Sequence, residues 1–404
     1  MLHTSDTSLA SAAYIAGMGI ITSIGNNLGE HLQALQQKHC GIGMPQLLQT
    51  IHELPVGEIK LSNKELATRA GVLATLPRTA LLSILAAKEA IAPFADKLRG
   101  LRIAFISANT VGGMDLTETE YIKLTTKEKI NPRKVIHHEC GSITELSIHA
   151  LGLDNCWHTT ISTACSSSAN SIMLAARLIE QGKMDLVIAG GADALSKFTL
   201  NGFNSLKILD KDLCQPFDEH RRGLNLGEGA AYLVLMNAAT VQGLGAPVLA
   251  RLSGYANAND AYHQTASSPE GTGNTLAIQG ALLQAGLQAS DIDYINLHGT
   301  GTENNDHAEG MAIEKVFAGQ RIPPASSTKC YTGHTLGAAG AVEAVFSVLA
   351  IQQQCAWAHL RLQTPISSQS WQPNTEIIHQ PIRHVLSNSF GFGGNCTSLV
   401  ISKE

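Results

Sequence analysis

The chain has 404 residues, 44% hydrophobic and only 15% charged, which excludes disorder as its general state, because disordered chains are charge-rich and poor in apolar residues. At about 100–200 residues per domain, this is chain enough for two or three domains. A net charge of −5 and a pI near 6.3 carry no polyanion-binding signature, so nucleic acid is not an expected partner. The 37 glycines follow no G-X-Y period and imply tight turns and close backbone approaches instead.

The uncharged stretch from Ser8 to Gly25 could pass for a signal peptide, but no Lys or Arg precedes it. Within it, Tyr14 to Ile21 reads as a strand running into a glycine turn. No other apolar run is expected to reach about 18 residues, so no membrane span is expected. Leu101 to Ser107 is a strand ending in the small-residue turn Ser107 to Gly113. Thr159 to Thr163 is another strand, followed by a helix whose apolar residues Ala169, Ile172, Met173, Ala176 and Ile179 recur at helical spacing until Gly182. Asp185 to Gly191 completes a βαβ unit, which points to an α/β fold with parallel strands.

The second half rhymes with the first. Ile292 to Leu297 is a strand ending in His298-Gly299-Thr300, and Ala325 to Thr328 is a short strand before a glycine-rich turn and the helix Gly337 to Gln352. This helix and the one after Cys165 both carry small residues on several faces, which suits close packing between two sheets. Gly243, Gly245 and Pro247 cluster where the halves join, so the chain divides into residues 1–250 and 251–404.

Cys165, in Ser162-Thr163-Ala164-Cys165-Ser166, stands between a strand and a helix start, where free amide hydrogens and the positive dipole end favour thiolate. His298 opens a turn after an apolar strand, and His334 lies in Lys329-Cys330-Tyr331-Thr332-Gly333-His334. Both sit beside glycines that let other groups approach. Glu343 is the only charge between His334 and His359 and needs a partner within its helix of small residues; Lys329 is the obvious one. Eight cysteines without a CxxC spacing fit a reduced, cytoplasmic protein. His307-Ala308-Glu309 mimics the zinc deaminase H-x-E but lacks the required P-C-x-x-C. There is no P-loop, and the adjacent residues of His137-His138-Glu139-Cys140 cannot all ligate one metal from a regular element.

Taken together, T-A-C-S-S at 163–167, H-G-T-x-T at 298–302, K-x-x-x-G-H-x-x-G-A-A-G at 329–340 and F-G-F-G-G at 390–394 resemble the elongating beta-ketoacyl-[acyl-carrier-protein] synthases of the thiolase-like superfamily. The likeness runs over nearly the whole chain. It implies a five-layered αβαβα fold of two duplicated halves, in a homodimer or in a heterodimer with a paralogous synthase or chain-length factor. It also implies a decarboxylative Claisen condensation of a malonyl unit with an acyl chain held on Cys165. His298 and His334 would assist decarboxylation, with Lys329 and Glu343 organising His334. The amides of Cys165 and Phe392 would form the oxyanion hole, Phe392 would gate the acyl pocket, and Thr300 and Thr302 would hold the phosphopantetheine arm of an acyl carrier protein. No metal or organic cofactor is implied.

Val111 stands where the family sets acyl-chain entry, and His137, His138 and Cys140 fall where relatives have an apolar pocket segment. The H-E-C-G segment and the G-N-C-T ending are similar to synthases of aryl polyene and flexirubin-type pigment pathways. Polar groups there would disfavour a saturated chain and suit an unsaturated or aryl-primed one. Other readings are a general fatty-acid elongating synthase, a thiolase acting on coenzyme A esters with Cys396 as its second cysteine, and a non-catalytic chain-length partner.

Overall fold

The computed structural model describes residues 12–404; residues 8–11 of the uncharged stretch lie outside the described residues. The first half supplies β1 (Ala13–Thr22), β2 (Ile103–Ala108), β3 (Trp157–Ile161), β4 (Leu186–Asp193) and β5 (Gly229–Met236). The second supplies β6 (Ala250–Asn259), β7 (Tyr294–Asn296), β8 (Ala325–Ser326), β9 (His384–Phe390) and β10 (Asn395–Ser402).

The two halves repeat one topology. The first five strands lie in the order β3-β2-β4-β5-β1, and the next five in the order β8-β7-β9-β10-β6. Counted from one within each half, both read 3-2-4-5-1. Directions repeat as well: β3, β2 and β4 are parallel while β5 and β1 alternate against them, and β8, β7 and β9 are parallel while β10 and β6 alternate. The first strands of the two copies, β1 and β6, join antiparallel through Ala13↔Leu252, Tyr14↔Arg251 and Ile15↔Ala250.

Helices complete five layers. α1 (Arg78–Ile91) and α3 (Cys140–Ala150) cover the outer face of the first sheet, and α6 (Thr272–Ala285) with α7 (Glu303–Val316) covers the outer face of the second. Between the sheets lie α4 (Ser167–Glu180) and α8 (Ala339–Gln353), which touch each other and strands of both halves. α2 (Met114–Thr125) and α5 (Lys197–Ser205) pack together at the strand ends.

Sheets covered on both faces need strands apolar throughout, and β1, β4 and β5 are buried at every residue. The central layer corrects one expectation. Leu336–Gln353 is long and apolar enough to cross a membrane, with a mean hydropathy of 1.4 over 18 residues, but it is 89% buried inside the fold. Its apolarity serves two sheets, one on each side.

Small residues set the layer spacing. A Cβ at Gly340 would lie 2.8 Å from both Cβ and N of Ala169, so α4 and α8 meet backbone to backbone there. On the outer side, a Cβ at Gly19 of β1 would lie 2.1 Å from the Ala86 carbonyl oxygen of α1. Gly19→Val should therefore force α1 off the sheet and cost about 3 kcal/mol, the upper range for overpacking. Urea unfolding followed by circular dichroism reads this as a lowered midpoint, whereas Gly43→Val, at a position with open space around it, should leave the midpoint nearly unchanged.

Candidate active site

Loops from both halves converge at the seam between the two sheets. β3 leads into a sharp elbow: Ala164 holds φ +53°, Cys165 follows, and α4 begins at Ser167. The elbow is stitched down. Ser167 Oγ accepts from Thr163 N at 2.8 Å, and Asn395 Oδ1 at the start of β10 accepts from Ser166 Oγ at 2.7 Å and Asn170 Nδ2 at 2.9 Å. Gly391 packs against it so closely that a Cβ would lie 3.1 Å from Cys165 N. This sets the next residue, Phe392, beside the thiol, where both line the same two cavities.

His298 follows β7 and is 1% exposed. Its own N–H donates to Glu309 Oε1 at 2.9 Å, and Gly299 N–H donates to Glu309 Oε2 at 2.8 Å. Lys329 Nζ donates to the His298 carbonyl at 2.6 Å and reaches its Nδ1 at 3.1 Å, and also pairs with Glu343. Because an ammonium only donates, His298 Nδ1 accepts and Nε2 carries the ring proton. His334 reaches the same state by another route, its Nδ1 accepting from Leu336 N at 3.1 Å. The rings stand 5.5 Å apart and nearly perpendicular, at 88°. Ligand-type atoms of Cys165, His298 and His334 all lie within 4.8 Å of one another.

A cysteine and two histidines so close have the composition of a zinc site, but their tautomers do not suit one. A metal needs the ring nitrogen lone pair, and both Nε2 atoms are committed as N–H donors by the hydrogen bonds at Nδ1. What the cluster offers is two neutral N–H donors and a thiol. Burial, and then the Lys329 charge, hold both imidazoles well below the usual histidine range, so neither becomes imidazolium.

Several expectations change here. Lys329 and Glu343 organise His298, not His334; the peptide N–H of Leu336 performs that service for His334. The helix start does not make Cys165 a resting thiolate: burial pushes the thiol up to about 11, outweighing the opposing pull of Lys329 and the Phe392 amide. Glu309, set aside with its H-x-E mimic, is buried and holds the His298 turn. Its helical neighbours Ala308, Gly310 and Ala312 are small like those of Glu343, but Asp306 and Glu314 share its helix, so the signal was weaker.

Two cavities meet at Cys165. The first, about 320 Å³, is lined by Cys165, His298, His334, Thr300, Thr302 and Phe392, with Lys207 and Arg222 at its walls. Thr300 and Thr302 present hydroxyls 2.9 Å apart. The second, about 400 Å³, is lined by Val111, Met114, Phe198, Phe203, Leu336 and Phe392 among others. Phe392 stacks on Phe203 at 5.9 Å and 17°, and both rings line both cavities.

Val111 lines the second cavity, but His137, His138 and Cys140 do not. They sit behind the Thr110–Gly113 turn: Gly113 N donates to His138 O at 3.2 Å, His138 Nδ1 is 3.1 Å from Thr117 Oγ1, and Cys140 opens α3. The chemical case for a polar pocket end falls with them, because the second cavity is almost wholly apolar. Cys396 is also elsewhere, on β10 with its thiol donating to Asn274 Oδ1 at 3.3 Å, which removes the second cysteine a thiolase would need.

Residues 83–240 match the family Beta-ketoacyl synthase, N-terminal domain, and residues 249–363 match Beta-ketoacyl synthase, C-terminal domain. The chain is 32% identical to 3-oxoacyl-[acyl-carrier-protein] synthase 2 of Staphylococcus aureus (strain COL), covering 96% of this chain and 97% of that one. It is 32% identical to the protein of the same name from Synechocystis sp., over the same shares. Among solved structures, it is similar to a ketosynthase (ApeO) in complex with its chain length factor (ApeC) from Xenorhabdus doucetiae, with 32% identity, a TM-score of 0.86 and coverage of 97% and 98%. It is also similar to the ishigamide ketosynthase/chain length factor, with 28% identity, a TM-score of 0.90 and coverage of 97% and 99%.

A buried thiol near 11 has a thiolate fraction that grows tenfold with each pH unit below that value. Alkylation of Cys165 by iodoacetamide, followed by peptide mass mapping, should therefore rise about tenfold per unit between pH 7 and 9. A rate that levels off in that range would show a thiol already ionised.

Proposed function

The chain belongs to the beta-ketoacyl synthase family of acyltransferases, and from that premise we propose that Cys165 carries the growing acyl chain as a thioester while His298 and His334 drive decarboxylation of malonyl carrier protein beside it. The observation that carries this reading is one thiol and two N–H-donating imidazoles within 4.8 Å at the junction of a polar and an apolar cavity.

In the first half-reaction, Cys165 sulfur attacks the carbonyl carbon of the incoming carrier thioester. The tetrahedral oxyanion is received by the amides of Cys165 and Phe392, donors fixed by the elbow before the charge appears. The carbonyl re-forms as the carrier sulfur leaves, and that thiolate takes up the proton Cys165 gave. No external base is consumed.

In the second, malonyl carrier protein enters the polar cavity, where the Thr300 and Thr302 hydroxyls suit the amides of the phosphopantetheine arm. Lys207 and Arg222, both exposed, suit its phosphate and an acidic carrier. Loss of carbon dioxide moves an electron pair onto the thioester oxygen, and the two Nε2–H groups receive that charge. The enolate carbon then attacks the Cys165 thioester, forming the carbon–carbon bond and breaking the carbon–sulfur bond, and the thiolate released takes one proton from solvent to return the thiol. Apart from that solvent proton, every step uses groups of the chain and its substrates, so we assign no metal or organic cofactor.

The apolar cavity suits the acyl chain. Its aromatic walls Phe198, Phe203 and Phe392 favour a flat, conjugated or aryl-primed chain over a saturated one, since planar π-systems stack and a stiff chain loses little freedom on binding. That reading replaces the polar pocket end and keeps the aryl polyene type of substrate. A second subunit, either a copy of this chain or a chain-length-factor paralogue, is assigned to the open edge of β3. There Trp157 is 45% exposed, and Phe198, 64% exposed, stands where the cavity approaches the surface. Eight free cysteines suit a cytoplasmic setting.

Cys165→Ala should abolish acyl-enzyme formation, read by intact mass after incubation with acyl carrier proteins, and acylation mapped to Cys330 or Cys396 would refute the assignment. His298→Ala and His334→Ala should each slow carbon dioxide release from malonyl carrier protein by about a hundredfold or more, the effect of removing one oxyanion donor. Val111→Phe should shorten the accepted chain, sparing acetyl transfer while suppressing long primers. Equal rates on polyene and saturated primers of one length would return the chain to general fatty-acid elongation.

A further inference from the structure

Asp193 ends β4 with no exposed surface, and among the described residues no cation pairs with it. Four donors satisfy its carboxylate instead. Oδ1 accepts from Thr110 N at 2.9 Å and Val111 N at 3.1 Å; Oδ2 accepts from Thr110 Oγ1 at 2.7 Å and Gly337 N at 2.7 Å. The first three donors belong to the turn that walls the acyl cavity, and the last to the loop after His334. Burial raises the acid to about 6, which still leaves a carboxylate able to accept from all four at neutral pH.

The Gly337 bond matters because of its neighbour. Leu336 holds φ +53°, a left-handed conformation that a branched residue keeps only under external constraint, and in that conformation its N–H reaches His334 Nδ1. Asp193 fixes the very next peptide. The fit is tight, since a Cβ on Gly337 would lie 2.8 Å from Asp193 Oδ2 and 3.0 Å from Thr110 Cγ2.

We propose that Asp193 is a positioning residue that ties the acyl-cavity wall at Thr110–Val111 to the Leu336 N–H that fixes the His334 tautomer. The assignment rests on the reading of His334 as a donor to the decarboxylating thioester. One carboxylate then serves both the chain cavity and the decarboxylation centre, and a change on either side is felt on the other.

The test compares Asp193→Asn, Gly337→Ala and His334→Ala with the parent enzyme. Asp193→Asn keeps shape but replaces one acceptor oxygen with an NH₂ group, which cannot accept; Gly337→Ala pushes the carboxylate aside and keeps the question open should the first variant not fold. Both should cut carbon dioxide release from malonyl carrier protein about tenfold or more and alter the ratio of long-chain to acetyl turnover. Alkylation of Cys165 by iodoacetamide should not fall, because the hydrogen bonds that hold the elbow do not involve Asp193 and the Asp193 charge acts on the thiol only to raise it. In ring-nitrogen NMR, the single Nε2–H form of His334 should give way to a tautomer mixture. Normal decarboxylation in both folded variants, with His334→Ala impaired, would overturn the role of Asp193 alone. Alkylation and decarboxylation falling in parallel would overturn it in favour of a structural role. Normal decarboxylation in His334→Ala would overturn the reading of His334, and this assignment with it.

Discussion

The site depends on how closely α4 and α8 approach each other. Both helices lie between two sheets, and only small residues at their crossing allow the sheets to draw near. Gly340 against Ala169 sets that distance, and Ser168 Oγ accepts from Ala341 N at 2.9 Å, joining the two helix starts directly. Cys165 precedes one start and His334 the other. A larger residue at the crossing would separate Cys165 from His334 without touching either. The chemistry is therefore set by backbone proximity in the central layer, and the side chains inherit their spacing from it.

Burial supplies the remaining control. In water, the imidazoles would share protons with solvent near neutral pH; between two sheets, with a lysine ammonium beside them, they remain neutral donors. The ammonium needs its own compensation, which Glu343 gives. Burial in turn pushes Glu343 up to about 7 against the pull of that same ammonium. Such a pair contributes little net stability, because desolvation offsets most of the attraction, but it fixes one orientation of His298. Glu309 plays the matching part for the His298 backbone, its two oxygens taking two consecutive peptide N–H groups.

Much of this was legible in the sequence. Strand–turn–helix patterns located Cys165, His298 and His334, and the runs of small residues in α4 and α8 announced a layer between two sheets. What could not be read was mediated by backbone. The Leu336 N–H on His334 carries no side-chain signature, so a lysine nearby in sequence was given the role. Cys165 stood at a helix start as expected, but the sequence does not state how far solvent withdraws from it, and that decided its ionisation. His137, His138 and Cys140 illustrate a register problem: the segment does reach the Thr110–Gly113 turn, but against its outer side, where Gly112 and Gly113 let the carbonyls of His138 and His137 come close. Asp193 had no flag at all, being one acid after a run of glycine and alanine in Gly190-Gly191-Ala192-Asp193.

The duplicated strand order has a consequence in time as well as in space. In each copy the fifth strand is inserted between the first and the fourth, so neither sheet is continuous until its last strand arrives. For the second copy that strand is β10, which pairs with β6 and β9 along nearly its full length. During synthesis, β6 therefore emerges some 140 residues before its main strand partner, with a three-residue ladder to β1 at one edge and α6 over one face. A nascent chain in that state exposes apolar strand edges, which are templates for wrong pairing. The first copy is complete once β5 has been made, and its β1 edge is the one that β6 joins.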